Sequence, residues 1–310
     1  MRGTRGPEPL RDEDPREIAG YVLRARIGEG GMGTVFLTRG RQDGLPVALK
    51  LIRREHAEND KFRRRFAREV EAARRVQGRH LVPVVDHDAE AERPWLATRY
   101  VPGLPLDEAL GQFGPLPLDC VLRLAACAAR ALSAVHAAGL IHRDVKPANL
   151  LLTAQGPWLL DFGIARAADS TSALTTVGRM VGTPKYMSPE HALGRALTPA
   201  SDMFTLGLVA AEAATGRHPY GEGGGLVVAT RIAGTSHEPP DLSAHPEPLR
   251  RLLTATLSSR PEDRPSASDV ASLCMAPHDA QDWLPPAVST AITSLHHTTL
   301  PPDPRTSRWS

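Results

Sequence analysis

The chain has 310 residues, enough to bury a sizeable core as one large domain or two medium ones, which excludes a stapled mini-protein. Its 37 Lys and Arg against 35 Asp and Glu leave a formal charge of +2, so no global field argues for a nucleic-acid or anionic-membrane partner. Three cysteines in no metal-ligand spacing, with no apolar signal core at the N-terminus, point to a soluble protein of a reducing cytoplasm.

Residues 1–17 mix charges with Gly and Pro and read as a disordered leader. Next, "YVLRARIGEGGMGTVFLTRG" and "LPVALKLI" alternate apolar and polar residues around a Gly-rich turn, the pattern of antiparallel sheet. In "DKFRRRFAREVEAARRVQG", Phe62, Phe66, Val70, Ala73 and Val76 recur at helical spacing. Its seven basic residues cover the remaining faces, where no aromatic residue sits to stack on bases, so they read as a solvated helix face rather than a nucleic-acid patch. "LVPVVDHDAE" and "RPWLATRYV" are two more strands, ending at "PGLPL", a natural hinge.

From Leu118 the texture turns helical. "LDCVLRLAACAARALSAVHAAG" closes on Gly139 as a C-cap, with Cys120 and Cys127 as small core residues, and "SDMFTLGLVAAEAATG" and "PEPLRRLLTATLSS" follow. The most apolar windows, 122–141 and 204–214, are broken by Arg123, Arg130 and Glu212 or are too short to cross a bilayer, so no membrane segment is expected. Residues 276–310 are rich in Pro and Thr and read as a tail or linker.

Within this frame several groups suit one chemistry. Gly28, Gly30 and Gly33, followed by Val35, spell GxGxxGxV. The dinucleotide fingerprint shares that pattern but opens a helix, whereas "TVFLTRG" continues as a strand. Such a loop can lay backbone N–H groups over a triphosphate, and taken alone an ordinary hairpin turn explains it equally well. Only four of the 37 basic residues are lysines, and Lys50 sits in the strand "VALK", where desolvation is costly unless the ammonium meets an anion or snorkels to solvent. Glu69 lies on the inward stripe of the following helix and would pair with it, presenting the ammonium to phosphate oxygens.

"HRDVKPAN" then places Asp144, Lys146 and Asn149 within six positions, and Asp161 in "DFG" follows twelve residues later. Asn149 and Asp161 suit a hard cation that bridges phosphate oxygens. Asp144 suits the acceptance of a proton from an attacking hydroxyl, and Lys146 the neutralisation of a phosphoryl group in transfer. A compact lysine charge fits a phosphate differently from arginine's fork.

Taken together, GxGxxGxV, VALK, a helix glutamate, HRDVKPAN, DFG and "SPE" at 188–190 resemble the protein-kinase signature set over about residues 18–275. "GEGGMG", "DVKPAN" and "GTPKYMSPE" look closest to the bacterial eukaryotic-like (Hanks-type) serine/threonine kinases. The resemblance implies an α+β bilobal fold, with an N-lobe of five antiparallel strands and one helix over about 18–101 and a mostly helical C-lobe over about 104–275. It implies Mg-ATP, with Mn²⁺ as an alternative ion, and transfer of the γ-phosphoryl to Ser/Thr hydroxyls of protein substrates, this chain included. Nucleotide contacts would come from Ile27, Gly28, Glu29, Gly30, Gly31, Gly33, Val35, Ala48, Lys50, Leu151, the gatekeeper Thr98 and the hinge Arg99, Tyr100 and Val101. The family often has an acidic residue where Arg99 stands.

By the same resemblance Asp144 is the catalytic base, aided by Lys146, Lys50 and Glu69, and Asn149 with Asp161 holds the metal. Arg143 would pair with a phosphate on Thr175 or Thr176, while Glu190–Arg264 and Asp202 would be structural supports. Small-lobe homodimers are common among such relatives, and nothing in this surface specifies one. A pseudokinase scaffold would predict a damaged Lys50, Asp144 or Asp161, and all three are intact. A small-molecule phosphotransferase of the same fold lacks this motif combination with its long activation loop. The cytosolic part of a membrane receptor kinase stays compatible with the Pro-rich tail.

Overall fold

The computed structural model describes residues 6–160, 184–273 and 282–297. A short hairpin, β1 (Glu17–Ile18) with β2 (Tyr21–Val22), leads into β3 (Ala25–Gly30), β4 (Gly33–Arg39) and β5 (Pro46–Ile52). After a one-turn helix α1 (Arg54–Ala57) come α2 (Asp60–Ala73), β6 (Val84–Asp88) and β7 (Trp95–Arg99). The five long strands form one antiparallel sheet in the order β3-β4-β5-β7-β6. The sheet has two unlike faces because side chains alternate along a strand. Val47, Leu49 and Leu51 of β5 join Tyr21, Leu23, Phe36, Trp95 and Ala97 in an apolar cluster on one face, which turns Ala48 and Lys50 to the other.

Helix α2 starts where Asn59 caps it, accepting from the Phe62 N–H at 3.1 Å. It buries the whole expected stripe, Phe62, Phe66, Val70 and Ala73, together with Val76 beyond its end.

The C-lobe opens with β8 (Leu104–Pro105), α3 (Leu106–Phe113) and α4 (Leu118–Ala137). The last of these has Ala138 as its C-cap, and Gly139, expected to cap it, follows with a left-handed φ of 72°. β9 (Leu150–Thr153) pairs with β10 (Gly156–Leu159) on one side and β8 on the other. Then follow α5 (Pro189–Ala192), α6 (Pro199–Thr215), α7 (Gly225–Ala233), α8 (Leu249–Thr256), α9 (Ala267–Leu273) and α10 (Pro286–His297). Buried α6 packs on α4 and α8 at the centre of the lobe. Among the described residues no helix is long and apolar enough to cross a membrane.

Two expectations about the ends need correction. The stretch read as a leader over 1–17 is ordered from residue 6: Glu8 bridges Arg26 backbone to backbone, and buried Asp14 accepts from the Arg26 guanidinium at 3.2 Å. The stretch read as a linker over 276–310 holds a packed segment, with Trp283, Leu284, Val288 and Ile292 all buried. Composition misled in both places, because a few well-placed anchors suffice to dock a polar segment.

Candidate active site

The Gly-rich loop is a tight hairpin: Gly30 pairs with Gly33 across Gly31 and Met32. Its glycines have different causes. A Cβ at Gly33 would lie 2.2 Å from the Leu51 carbonyl oxygen of β5, so that glycine is demanded by packing within the sheet. At Gly30 and Gly31 a Cβ would meet nothing within 4 Å, and at Gly28 only the Val35 side chain at 3.8 Å. Packing within the sheet therefore does not require glycine at these three positions. Glu29 is drawn into ion pairs with Arg26 at 2.9 Å and Arg53 at 3.3 Å. Arg53 Nε donates to the Gly30 carbonyl at 3.2 Å, and the His56 ring approaches that of Gly31 at 3.2 Å. Ile27 is half-buried beside the bulge between Arg26 and Gly28.

Strand register sets the next group. Lys50 faces Val35 of β4 and Leu96 of β7, and Ala48 faces Leu37 and Thr98. Directly opposed residues share a face, so Val35, Ala48, Lys50 and Thr98 lie together on the side away from the outer apolar cluster. Thr98 reaches back with its hydroxyl to the Ala48 carbonyl at 3.5 Å. At the end of β7, where a hinge is expected, the Arg99 N–H donates to the Pro83 carbonyl and the Tyr100 N–H to that of Pro46. The Arg99 guanidinium turns to Asp43 at 3.8 Å, out along the surface, and Val101 is half-buried. Leu151 of β9, which is 8% exposed, lies opposite Pro105 in the register with β8.

The loop 142–149 is held differently, by side chains that bind backbone. Asp202, in the first turn of α6 and 1% exposed, accepts from the N–H groups of His142 and Arg143, each at 2.8 Å, and from His136 Nε2 at 2.8 Å. Arg143 has φ +64°, a left-handed conformation that costs a non-glycine residue about 1–3 kcal/mol and persists only where its surroundings enforce it. Fully buried His142 reaches the Leu160 carbonyl at 3.0 Å, while the Leu160 N–H donates to Asn149 at 2.8 Å. The last residue before Asp161 is therefore pinned at both its polar ends beside Asn149.

Inside this frame the three polar groups of the loop touch one another. Lys146 Nζ lies 3.0 Å from Asp144 Oδ2. Asn149 Nδ2 donates to the same Oδ2 at 2.9 Å and to the Asp144 carbonyl at 2.8 Å. With its nitrogen so committed, Asn149 keeps Oδ1, a hard oxygen, as its acceptor. Asp161, Thr175 and Thr176 lie outside the described residues. Among the described residues no group of three or more His, Cys, Asp or Glu could hold a metal ion, and Asn149 is the part of the expected ion site that is described.

Glu69 departs from the pairing expected for it. Its Oε1 accepts from Arg143 Nη1 at 3.0 Å, an ion pair that crosses from α2 to the 142–149 loop, and its Oε2 is buried with no hydrogen-bond partner. Burial, opposed by Arg143, raises the Glu69 pKa to about 7. Neither the crossing pair nor His136 was foreseen. For Glu69–Arg143 the separation of 74 residues left no local signal. His136 carried one, a polar ring in the last turn of an apolar helix that ends just before the motif.

Both expected structural supports are present. Arg264 binds Glu190 through two parallel bonds of 2.8 and 3.0 Å with both residues buried, and these bonds with that of Ser201 outweigh burial and lower the Glu190 pKa. A cavity of about 400 Å³ between α4, α6 and the start of α9 is bordered by His136, Met203 and Arg264, behind the 142–149 loop rather than at Asp144.

With this geometry in view, comparison with known proteins is specific. The family described as "Protein kinase domain" matches residues 21–273. The probable serine/threonine-protein kinase PkwA of Thermomonospora curvata is 46% identical over 289 residues, covering 93% of this chain and 38% of that protein. The serine/threonine-protein kinase AfsK of Streptomyces coelicolor is 43% identical, covering 90% of this chain and 35% of its own. This chain thus spans little more than a third of the length of these relatives. Among solved structures, the PknI kinase domain of Mycobacterium tuberculosis superposes with a TM-score of 0.65 at 31% identity, over 83% of this chain and 96% of that one.

Proposed function

The chain belongs to the protein kinase family, and on that premise we propose that it transfers the γ-phosphoryl group of Mg-ATP to serine or threonine hydroxyls of protein substrates, its own loop among them. The observation that carries this reading is the contact cluster of Asp144, Lys146 and Asn149 on a loop anchored to Asp202.

Asp144 Oδ2 would accept the proton of the incoming hydroxyl, and the Lys146 ammonium, already 3.0 Å away, would counter the charge that gathers on the phosphoryl oxygens. The residues suit a divalent ion as well. Asn149 would give its Oδ1 and Asp161 a carboxylate, and the chemistry supplied there would be neutralisation of phosphate charge. Lys50 would reach the phosphates from β5, beneath a loop whose Gly28, Gly30 and Gly31 leave open space for them. Val35, Ala48 and Leu151 would enclose the base between the lobes, with Thr98 and the backbone of 99–101 along its edge.

The unpartnered Glu69 Oε2 supports a switch between two pairings. Arg143 holds Glu69 in the described arrangement. A phosphate on Thr175 or Thr176 would add about −1.5 to −2 charges and compete for Arg143. Glu69 would then be released to pair with Lys50. Intact-mass and peptide analysis of the purified protein is expected to find that phosphate, and a fully active, unmodified enzyme would defeat the idea.

The activity itself is tested by incubating the protein with labelled ATP, Mg²⁺ or Mn²⁺ and a generic basic protein, beside a Lys50→Met control. Label well above that control is the expected outcome, and its absence would favour a non-catalytic scaffold.

A further inference from the structure

The family match ends at residue 273, yet Trp283, a firmly anchored aromatic among the described residues, lies ten residues beyond it. Trp283 is 6% exposed and is held in three ways. Its indole Nε1 donates to the Thr153 carbonyl at 2.8 Å, its own carbonyl accepts from Cys120 Sγ at 2.8 Å, and the Arg123 guanidinium lies 5.5 Å from its ring. A buried donor matched to one backbone acceptor specifies a docking position, where apolar burial alone would only favour contact.

What this anchor touches matters more than that it is buried. Thr153 is the last residue of β9, the strand that begins directly after Asn149 and carries Leu151. β9 is the partner of β8, with Leu104 opposite Leu152 and Pro105 opposite Leu151, and β8 is the first element after the hinge. At Gly103, between the two, a Cβ would lie 2.8 Å from the Leu152 carbonyl oxygen, so the chain leaving the hinge rests directly on β9.

Downstream of Trp283, α10 opens on a proline and buries Val288 and Ile292 to 1% and 2% exposure, one turn apart on one face. That helix packs on β8, β9 and α3, so it rests on the strand that carries Leu151 and on the strand paired with it. Trp283, Val288 and Ile292 share one continuous apolar core with Leu104, Leu150 and Leu152.

We propose that Trp283 is a positioning residue for nucleotide binding, and that the segment 282–297 is a strap that presses β9 against β8 and so sets the floor beneath the adenine. The inference rests on the nucleotide site proposed above. It acts through the strap's contact with the far end of β9 at Thr153, and so bears on affinity for the nucleotide rather than on the transfer step, whose loop is anchored by Asp202 through the amides of His142 and Arg143. Because coupling between two sites is reciprocal, bound nucleotide must also tighten the strap.

The test uses the full chain with Trp283→Phe, which keeps the ring and loses the N–H, and Trp283→Ala, which loses both. Nucleotide dissociation constants by calorimetry with Mg-ADP and steady-state KM for ATP are measured beside kcat. Affinity is expected to fall about threefold for Phe and about tenfold for Ala, the range of one buried hydrogen bond and its packing, while kcat stays within about twofold. Amide exchange over 282–297 is expected to slow when Mg-ADP binds the unmutated protein. If the Ala variant does not fold, the Phe variant and the exchange experiment decide. Unchanged affinity in the folded variants, with exchange indifferent to nucleotide, would make Trp283 a structural anchor only and overturn the proposal. Unmutated protein that binds no nucleotide would overturn the site itself, and the strap's role with it.

Discussion

The two walls of the cleft are built on opposite principles. On the N-lobe side, Val35, Ala48, Lys50 and Thr98 are placed by the register of three neighbouring strands, with the opposite face of the sheet anchored in its own apolar cluster. On the C-lobe side, Asp144, Lys146 and Asn149 sit on an irregular loop held by one buried carboxylate, two of its own amides and a neighbouring histidine. Register is a collective property of many backbone bonds, so no single residue carries it. A polar network in a buried site has few members, and losing one leaves the others unsatisfied. The sheet should therefore tolerate most single changes, and the loop should not.

The largest break in that contrast is expected at Asp144→Asn. Turnover should fall about 10²–10⁴-fold, the range for removal of a general base, while nucleotide affinity by calorimetry changes little. Unchanged turnover would refute the role given to Asp144. Next comes Asp202→Ala, which touches no substrate. It strands two buried amide donors and the His136 ring, and should destabilise the protein by about 3–5 kcal/mol in denaturant unfolding, with turnover lost even where the protein stays folded.

The pair that joins the two walls gives a pH signature. Folded Glu69 binds its proton more tightly than in the unfolded chain, since its pKa rises from 4.5 to about 7. Its contribution to stability is thus full below pH 4.5 and is given up as the pH climbs through about 7. Glu69→Gln should leave stability at pH 4 near that of the parent and exceed it by about 2–3 kcal/mol at pH 8. Denaturant midpoints at the two pH values measure this, and a difference of opposite sign would mean that Arg143 outweighs burial.

The smallest effects separate glycines within one loop. Gly33→Ala forces a Cβ against the Leu51 carbonyl and should cost about 1–3 kcal/mol. Gly30→Ala meets open space and should change stability by less than about 0.5 kcal/mol, so that a rise in KM for ATP would be its only clear mark. Equal losses of stability at the two positions would mean that Gly30, too, is a packing requirement.

Much of this site was legible in the sequence because it is written in short, local patterns. Strand alternation put Lys50 on the face opposite the apolar cluster, the α2 stripe came out residue by residue, and the loop 142–149 carries its polar groups within six positions. The contacts that were missed are those with long reach. Glu69 meets Arg143 across 74 residues, and Trp283 meets Thr153 across 130. The leader and tail were misread for a related reason. Average composition describes a segment's solvation, but docking depends on single residues such as Asp14 and Trp283 finding a complementary partner elsewhere.

The sequence by itself therefore carried the motifs whose resemblance gives the family and the α+β fold, and the strand and helix patterning of single elements, since each is written in short stretches of chain. Only the tertiary structure decided that Arg143, rather than Lys50, holds Glu69, that Asp202 ties the loop 142–149 to α6, and that the folded unit runs past residue 273 to α10. Those outcomes rest on which of several competing polar partners comes within about 3 Å after the lobes have packed, and no local pattern encodes that distance.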